Sequence, residues 1–207
     1  KAVDASRFKP ELRRELGQTY LDQIEMSLKI FDPKIMDMLR QETDLKREYT
    51  ELLAGAQIEF HGSTYNLSGL GPFHNHKDRA IRKESYGVKF KWYEENGEAF
   101  DDLYDKLVKL RHRMATTLGY ENFIELAYWR MGRSDYGPEE VARYRRQIVE
   151  SVVPVVHKLL EQKKGILGLD HLYFYDVINF KEGDPKPKVT PEEMVAVAQR
   201  MYHELSP

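Results

Sequence analysis

Residues 118–136 read Leu-Gly-Tyr-Glu-Asn-Phe-Ile-Glu-Leu-Ala-Tyr-Trp-Arg-Met-Gly-Arg-Ser-Asp-Tyr, and this stretch is the most informative part of the chain. Gly119 predicts the end of one helix, and Asn122 predicts the cap of another that follows at once. The second helix brings aromatic and basic side chains together within a few residues: Phe123, Tyr128, Trp129, Arg130 and Arg133. Ordinary amphipathic patterning does not account for this mixture, so the stretch is typical of a family signature.

Apolar residues before this stretch recur at helical spacing, which predicts a mainly α fold. A first helix is predicted from Pro10 to the Asp32-Pro33 break, with one inward stripe at Leu12, Leu16, Tyr20, Ile24 and Leu28. Further helices are predicted at about 33–53, 77–96 and 98–118. The last of these has the clearest amphipathic pattern, because its apolar residues step by three or four.

After the signature, Gly137-Pro138 predicts the start of another helix that Gly165 ends. Its predicted core positions are Val141, Tyr144, Ile148, Val152, Val155 and Leu159. Pro154 lies inside this helix and removes one backbone hydrogen bond, which predicts a kink near residue 151. Thr190-Pro191 predicts the start of a last helix, which carries Met194, Val195, Ala198 and Met201.

Residues 57–67 depart from helical spacing. Ile58 and Phe60 alternate with polar neighbours, the residues at 61–64 are typical of a turn, and the alternation resumes at Tyr65. The sequence therefore predicts a multi-helix array with one small β-hairpin at about residues 57–67. No composition break divides the chain, so residues 1–207 are predicted to form a single helical unit.

Composition excludes several classes of function. Lys and Arg number 32 against 34 Asp and Glu, so no strong field would recruit nucleic acid or an anionic membrane. No apolar run approaches the roughly 20 residues that a bilayer requires. Cysteine is absent, which excludes disulfides and thiol catalysis and fits a reducing compartment, so the cytoplasm is the predicted location.

Candidate motifs for catalysis are incomplete. His203-Glu204-Leu205-Ser206-Pro207 begins like the zinc motif H-E-x-x-H, but proline in the fifth position cannot be a ligand. His74 and His76 are the only close histidine pair, and a solvated loop explains them better than a metal site does, because no third or fourth ligand is in view. No Gly-x-Ser-x-Gly nucleophile motif is present. We therefore predict no catalytic residue and no metal site of the chain's own.

Several separated blocks nevertheless resemble the N-terminal helical portion of the oligoendopeptidase F family of zinc metallopeptidases, in the thimet-oligopeptidase-like superfamily. Besides the signature, the blocks are Arg7-Phe8, 56–60, 65–68, Asp78-Arg79 through Arg82, 94–96, 172–176 and 201–207. The resemblance implies a partial helical clamshell whose channel admits short peptides. It implies that a downstream H-E-x-x-H helix and a later glutamate hold the catalytic zinc, and no position in 1–207 matches those ligands.

What the resemblance implies is thus the front portion of a larger peptidase domain. Short peptides would be the substrates and zinc the cofactor of the parent enzyme, with this chain inactive alone because the catalytic half is absent. The alternative is a freestanding, non-catalytic helical module that binds peptides or protein partners. If part of the domain is missing, exposed apolar helix faces are expected to cause self-association.

Tyr173, Tyr175 and Asp176 are the predicted substrate-binding residues, because an aromatic pair followed by a carboxylate can stack on a peptide and hold its amide or amine. The alternative is that both tyrosines pack in the core and Asp176 caps a turn. Arg130 and Arg133 present a similar choice. They either clamp a peptide carboxylate or tie helices together through Asp135 or a distant glutamate.

Overall fold

The computed structural model describes residues 6–177 and 188–206 and confirms the mainly α fold. Its helices are α1 Lys9–Leu16, α2 Gln18–Lys29, α3 Met36–Ala54, α4 Gly71–His74, α5 Arg79–Glu95, α6 Gly97–Thr117, α7 Phe123–Arg130, α8 Pro138–Gln147, α9 Val153–Leu167, α10 Phe174–Val177 and α11 Pro191–Leu205. A 3₁₀ turn at Pro33–Ile35 precedes α3, and a π-helical segment at Ile148–Val152 joins α8 to α9. Within the described ranges, no helix is long and apolar enough to cross a membrane.

The signature folds as the caps in its sequence predict. Gly119, with φ +92°, follows the end of α6 in a backbone conformation that favours glycine. The Asn122 side chain then accepts a hydrogen bond from the Ile124 amide at 2.9 Å and caps α7. The chain can therefore reverse between α6 and α7 within a few residues, which brings both helices to one core.

That core is built from Ile35, Leu110, Met114, Ala115 and Leu126, all fully or almost fully buried. It joins the 3₁₀ turn to α6 and α7, while α3 packs along α6. Two further contacts tie α2 to the signature. The Lys29 ammonium lies 3.8 Å from the centre of the Trp129 ring, and the Tyr120 hydroxyl donates to the Lys29 carbonyl at 3.2 Å.

A second core lies under the β-hairpin, whose strands are β1 Ile58–Phe60 and β2 Ser63–Tyr65. The strands pair antiparallel with Ile58 opposite Tyr65, which confirms the hairpin predicted at 57–67. Ile58, Phe60 and Leu70 form the buried cluster, against which Val88 and Trp92 of α5 pack. Because a two-stranded sheet is marginal alone, this packing is what makes the hairpin stable.

The single first helix was a wrong prediction, because Gly17 divides it. Gly17 has φ +84° and ψ 161°, so α1 ends and α2 begins with a different rotational phase. As a result Leu16 and Tyr20 are exposed, and Leu21 is the buried residue of α2. Residues spaced by four lie on one side of a helix only if the helix is continuous, and Gly17 interrupts it.

The disruption predicted near residue 151 lies where expected and takes the form of the π-helical segment. The Val153 amide donates to the Ile148 carbonyl, five residues back, instead of four. Pro154 follows in the first turn of α9, where its missing N–H costs least. The extra residue in the turn thus accommodates the proline without ending the helix.

The predicted inward face of this long helix was wrong. Tyr144, Val152, Val155 and Leu159 are exposed, and in α11 the same is true of Met194, Val195, Ala198 and Met201. Within the described residues, α8, the π segment and α9 form one continuous helix that packs extensively on no other element, and the same is true of α11. The pattern correctly indicates which side of each helix is apolar, but it cannot indicate whether another element covers that side.

Leu126 offers a test of the core at the signature. We expect Leu126→Ala to lower the free energy of unfolding by about 2–5 kcal/mol, because it leaves a cavity among fully buried side chains. Urea denaturation followed by circular dichroism would measure this. Leu159→Ala is the matched control, since Leu159 is 58% exposed in α9 and should change stability by less than about 0.5 kcal/mol. Equal effects would contradict the assignment of the core.

Candidate functional site

The three predicted site residues lie together where the short helix α10 packs on α5. Phe174 holds this helix, with its ring edge-on to Tyr86 at 4.9 Å and to Phe90 at 5.5 Å between centroids. Edge-to-face contacts of this kind stabilise a pair beyond the area that they bury. They place Tyr173, Tyr175 and Asp176 beside the first turn of α5.

Asp176 is fully buried and binds two arginines of that turn. Arg79 donates from Nε to Oδ1 and from Nη2 to Oδ2, both at 2.9 Å. Arg82 donates from Nη2 to Oδ1 at 3.1 Å, and the Tyr173 amide donates to Oδ2 at 3.1 Å. Burial opposes ionisation of the carboxyl group, but these hydrogen bonds outweigh it and hold the pKa of Asp176 below its ordinary value.

Arg82 extends the network to the loop between α4 and α5. Its Nε donates to the Tyr175 carbonyl at 2.9 Å, and its Nη1 donates to the carbonyls of His76 and Lys77 at 2.9 and 3.0 Å. The side chain is buried, so these backbone carbonyls replace the water that it would otherwise bind. Arg82 thereby connects α5, α10 and the loop at residues 75–78.

The two tyrosines stack on each other but differ in access to solvent. Their rings are nearly parallel, at 5° and 5.3 Å between centroids, and the Arg79 guanidinium carbon lies 5.6 Å from the Tyr173 ring and 5.3 Å from the Tyr175 ring. Tyr173 is 47% exposed, whereas Tyr175 is 6% exposed. A ligand can therefore reach Tyr173 directly, while Tyr175 and Asp176 support it from below.

A second buried carboxylate contacts the signature from outside it, on a residue that sequence reasoning missed. Glu42 of α3 accepts from Arg111 Nε of α6 at 2.7 Å and from Arg130 Nη2 of α7 at 2.6 Å. Burial raises the pKa of Glu42, but the hydrogen bonds from both arginines dominate and lower it overall. The expectation that Arg130 ties helices through a distant glutamate is thus confirmed. The available signal was that Glu42 falls on the apolar stripe of α3, between Met38 and Leu45.

Arg133 has a different environment from Arg130. Its guanidinium carbon lies 4.9 Å from the Tyr128 ring and 5.7 Å from the Tyr136 ring. It borders an open groove of about 630 Å³ that also contains Asp135 and Trp129. Among the described residues Arg133 forms no ion pair, so the predicted link to Asp135 is not made.

Potential metal ligands do not converge within the described ranges, where no group of three His, Cys, Asp or Glu side chains could hold an ion. His74 is buried and stacks on Tyr86 at 4.0 Å, and burial lowers its pKa. His76 instead accepts from the Asp78 amide through Nδ1 at 3.1 Å. His203 and Glu204 lie exposed in the last turn of α11, and Pro207 lies outside the described residues.

Comparison with protein families identifies the family to which this helical array belongs. The model of peptidase family M3 matches residues 73–203, which is more than half of the chain and includes α10, the signature and most of α11. The chain belongs to peptidase family M3. The resemblance to oligoendopeptidases is thus confirmed at the level of the family.

Two curated relatives are similar in sequence to part of this M3 chain. The group B oligopeptidase PepB of Streptococcus agalactiae is 25% identical over 159 residues, 72% of this chain and 24% of the relative. An oligoendopeptidase F homolog of Lactococcus lactis subsp. lactis is 24% identical over 136 residues, 61% of this chain and 21% of the relative. The chain therefore spans about a quarter of the length of these relatives.

Solved structures match the M3 chain over its whole length. PZ peptidase A, determined with an inhibitor, superposes on 100% of this chain with a TM-score of 0.90 and 38% identity. A Bacillus anthracis protein assigned as an oligoendopeptidase F superposes on 99% with a TM-score of 0.87 and 38% identity. The matched region is 37% and 38% of those two chains, respectively, and corresponds to an N-terminal portion.

Asp176 provides a test of the network in the M3 chain. Asp176→Asn leaves the buried Arg82 without its counter-charge, so we expect a loss of about 3–5 kcal/mol in the free energy of unfolding at pH 7. Because the pKa of Asp176 is lowered on folding, its contribution is fully present above the ordinary value of 3.8 and is lost progressively as the pH falls from there through the lower folded-state pKa. Urea unfolding at several pH values should therefore show that the difference in unfolding free energy between Asp176→Asn and wild type becomes smaller as the pH falls from 7 to 3.

The matched control for this experiment is Asp102→Asn. Asp102 pairs with Lys106 one turn away on the exposed face of α6, where an ion pair contributes little. This variant should remain within about 0.5 kcal/mol of wild type at every pH. A difference for Asp176→Asn that did not change with pH would argue against ionised Asp176 as the stabilising species.

Proposed function

We propose that this chain is the front, substrate-facing portion of a zinc-dependent oligoendopeptidase that hydrolyses short peptides. The observation that carries the proposal is the match in fold over the entire chain to PZ peptidase A, at 38% identity, although the chain spans 37% of that protein. Both the shared family and the partial coverage fit a helical portion of a larger peptidase domain. The cytoplasm remains the predicted location, on the cysteine-free composition.

Zinc is the cofactor that this proposal assigns to the parent enzyme. In zinc peptidases the bound metal polarises the scissile carbonyl and lowers the pKa of a water molecule, which supplies the nucleophile. The described residues do not fit such an ion, because they bring no three suitable ligands together. We therefore assign the ligands to a part of the parent enzyme outside this sequence and assign this chain to peptide binding.

Tyr173, with Tyr175 and Asp176 beneath it, is the surface that we assign to the peptide. Tyr173 offers a half-exposed ring that is held in place by stacking on Tyr175 and by the Asp176–Arg79 contact. A ring fixed before binding loses little conformational freedom when a peptide stacks on it. Asp176 itself is saturated with donors, so it acts by positioning Tyr173 and Arg79.

The test of this function is binding without cleavage. A fluorescently labelled short peptide should bind the chain, and Tyr173→Ala should weaken binding about 3- to 10-fold, the usual effect of removing an aromatic contact. The control is Tyr104→Ala, because Tyr104 is an exposed tyrosine on α6. With zinc added, we expect no hydrolysis of the same peptide by this chain. Zinc-dependent cleavage, or equal binding by both variants, would refute the assignment.

The encoding reading frame separates this function from the alternative of a freestanding binding module. We expect the frame to continue into an H-E-x-x-H segment, because that motif would supply two zinc ligands and a general base. A stop codon immediately after Pro207, together with peptide binding, would instead support a non-catalytic module.

Self-association is expected of the isolated chain. The apolar residues Val195, Met201 and Leu205 are exposed along α11, and large exposed apolar surfaces drive association. Light scattering should show a mass that rises with protein concentration, and Met201→Lys should reduce that rise. Gln199→Lys adds the same charge to the same helix and should have little effect. A monomeric mass at all concentrations would rule out association through this face.

A further inference from the structure

We propose that Arg79 and Tyr173 form a carboxylate-recognition site, at which a bound peptide places a carboxylate next to an apolar or aromatic side chain. This inference rests on the proposed peptide-binding role of the same surface and names the chemistry that it prefers. The carboxylate is either the C-terminus of the peptide or an Asp or Glu side chain. The relevant structural features are an unbalanced charge, a free edge of a guanidinium group and an exposed ring.

The charge in the network does not balance. Two guanidinium groups, those of Arg79 and Arg82, share the single carboxylate of Asp176, which leaves one net positive charge. Arg82 and Asp176 are buried, whereas the Arg79 side chain is 40% exposed. The excess positive charge therefore reaches solvent at Arg79. The neighbouring Asp78 carboxylate accepts from the Ala80 amide and caps α5, and the His171 ring lies against Tyr173.

Arg79 also retains hydrogen-bonding capacity. Nε and Nη2 form the edge that binds Asp176, and among the described residues no acceptor binds Nη1. Arg82, in contrast, donates from all three of its nitrogens. The outer edge of the Arg79 guanidinium can thus donate to a second carboxylate, the acceptor that this group matches best.

The position of this edge is set before any ligand arrives. Two hydrogen bonds to a buried carboxylate and two neighbouring tyrosine rings restrict the Arg79 side chain. Exposed arginines elsewhere, such as Arg47 on α3, contact only carboxylates on their own helix. The fold already restricts the Arg79 side chain, so binding a carboxylate there costs less conformational entropy than at an ordinary surface arginine. The affinity for the carboxylate is therefore higher at Arg79.

The experiment compares three peptides on the intact chain: acetyl-Ala-Ala-Phe with a free carboxylate, its C-terminal amide, and acetyl-Ala-Glu-Phe amide. Isothermal titration or amide NMR shifts would measure the dissociation constants. We expect a carboxylate-bearing peptide to bind about tenfold more tightly than the neutral amide, with the ratio falling as salt is added. Tighter binding of the free C-terminus identifies the α-carboxylate as the source, and tighter binding of the glutamate peptide identifies a side chain.

Variants then locate the effect. Arg79→Gln should reduce the preference for carboxylate to within about twofold, while Arg79→Lys should keep part of it through charge alone. Arg47→Gln is the matched control and should leave the preference unchanged. The peptide comparison on the wild-type chain needs no variant, so a folding defect in Arg79→Gln cannot obscure it.

Three results would overturn the inference. Equal binding of all three peptides, with dependence on Tyr173, removes the carboxylate site and leaves the proposed function intact. A carboxylate preference that survives in a folded Arg79→Gln variant removes the assignment to Arg79. Binding of none of the peptides removes both the inference and the peptide-binding role on which it rests.

Discussion

A carboxylate that is wholly withdrawn from water is the interaction on which the candidate site depends. Asp176 remains ionised inside the protein only because Arg79, Arg82 and the Tyr173 amide together replace the water molecules it has lost. That requirement fixes α10 against the first turn of α5. It also fixes the angle of the Arg79 guanidinium and, through stacking on Tyr175, the position of the exposed Tyr173 ring.

The same arrangement occurs at the signature, where Glu42 lies between Arg111 and Arg130. Three helices, α3, α6 and α7, each contribute one member, so the carboxylate specifies how they meet. Buried ion pairs contribute little net stability compared with apolar packing, but leaving one partner buried without the other is strongly destabilising. The apolar core around Leu126 holds these helices together, and the Glu42 contacts select one relative placement.

Local patterns in the sequence predicted most elements of the fold. Caps at Asn122 and Thr190 and the proline at 154 act within a few residues, so their effects on α7, α11 and the π segment are readable without tertiary knowledge. The failures share a physical cause. Gly17 divides the first predicted helix into two. The apolar faces of α9 and α11 are not covered by another element in the described ranges, and the spacing of apolar residues cannot show whether a face is covered.

The helical class, the hairpin, the family and the grouping of Tyr173, Tyr175 and Asp176 on one short segment could all be predicted from the amino-acid sequence. Each of these features depends on neighbouring residues or on recognisable sequence blocks. The folded structure was needed to show which of the three is accessible, and that Arg79 and Arg82, nearly a hundred residues away, complete the candidate site. Likewise it alone paired Arg130 with Glu42 and left Arg133 among tyrosines. Pairing between distant charges depends on how helices pack, and that packing is a property of the whole core.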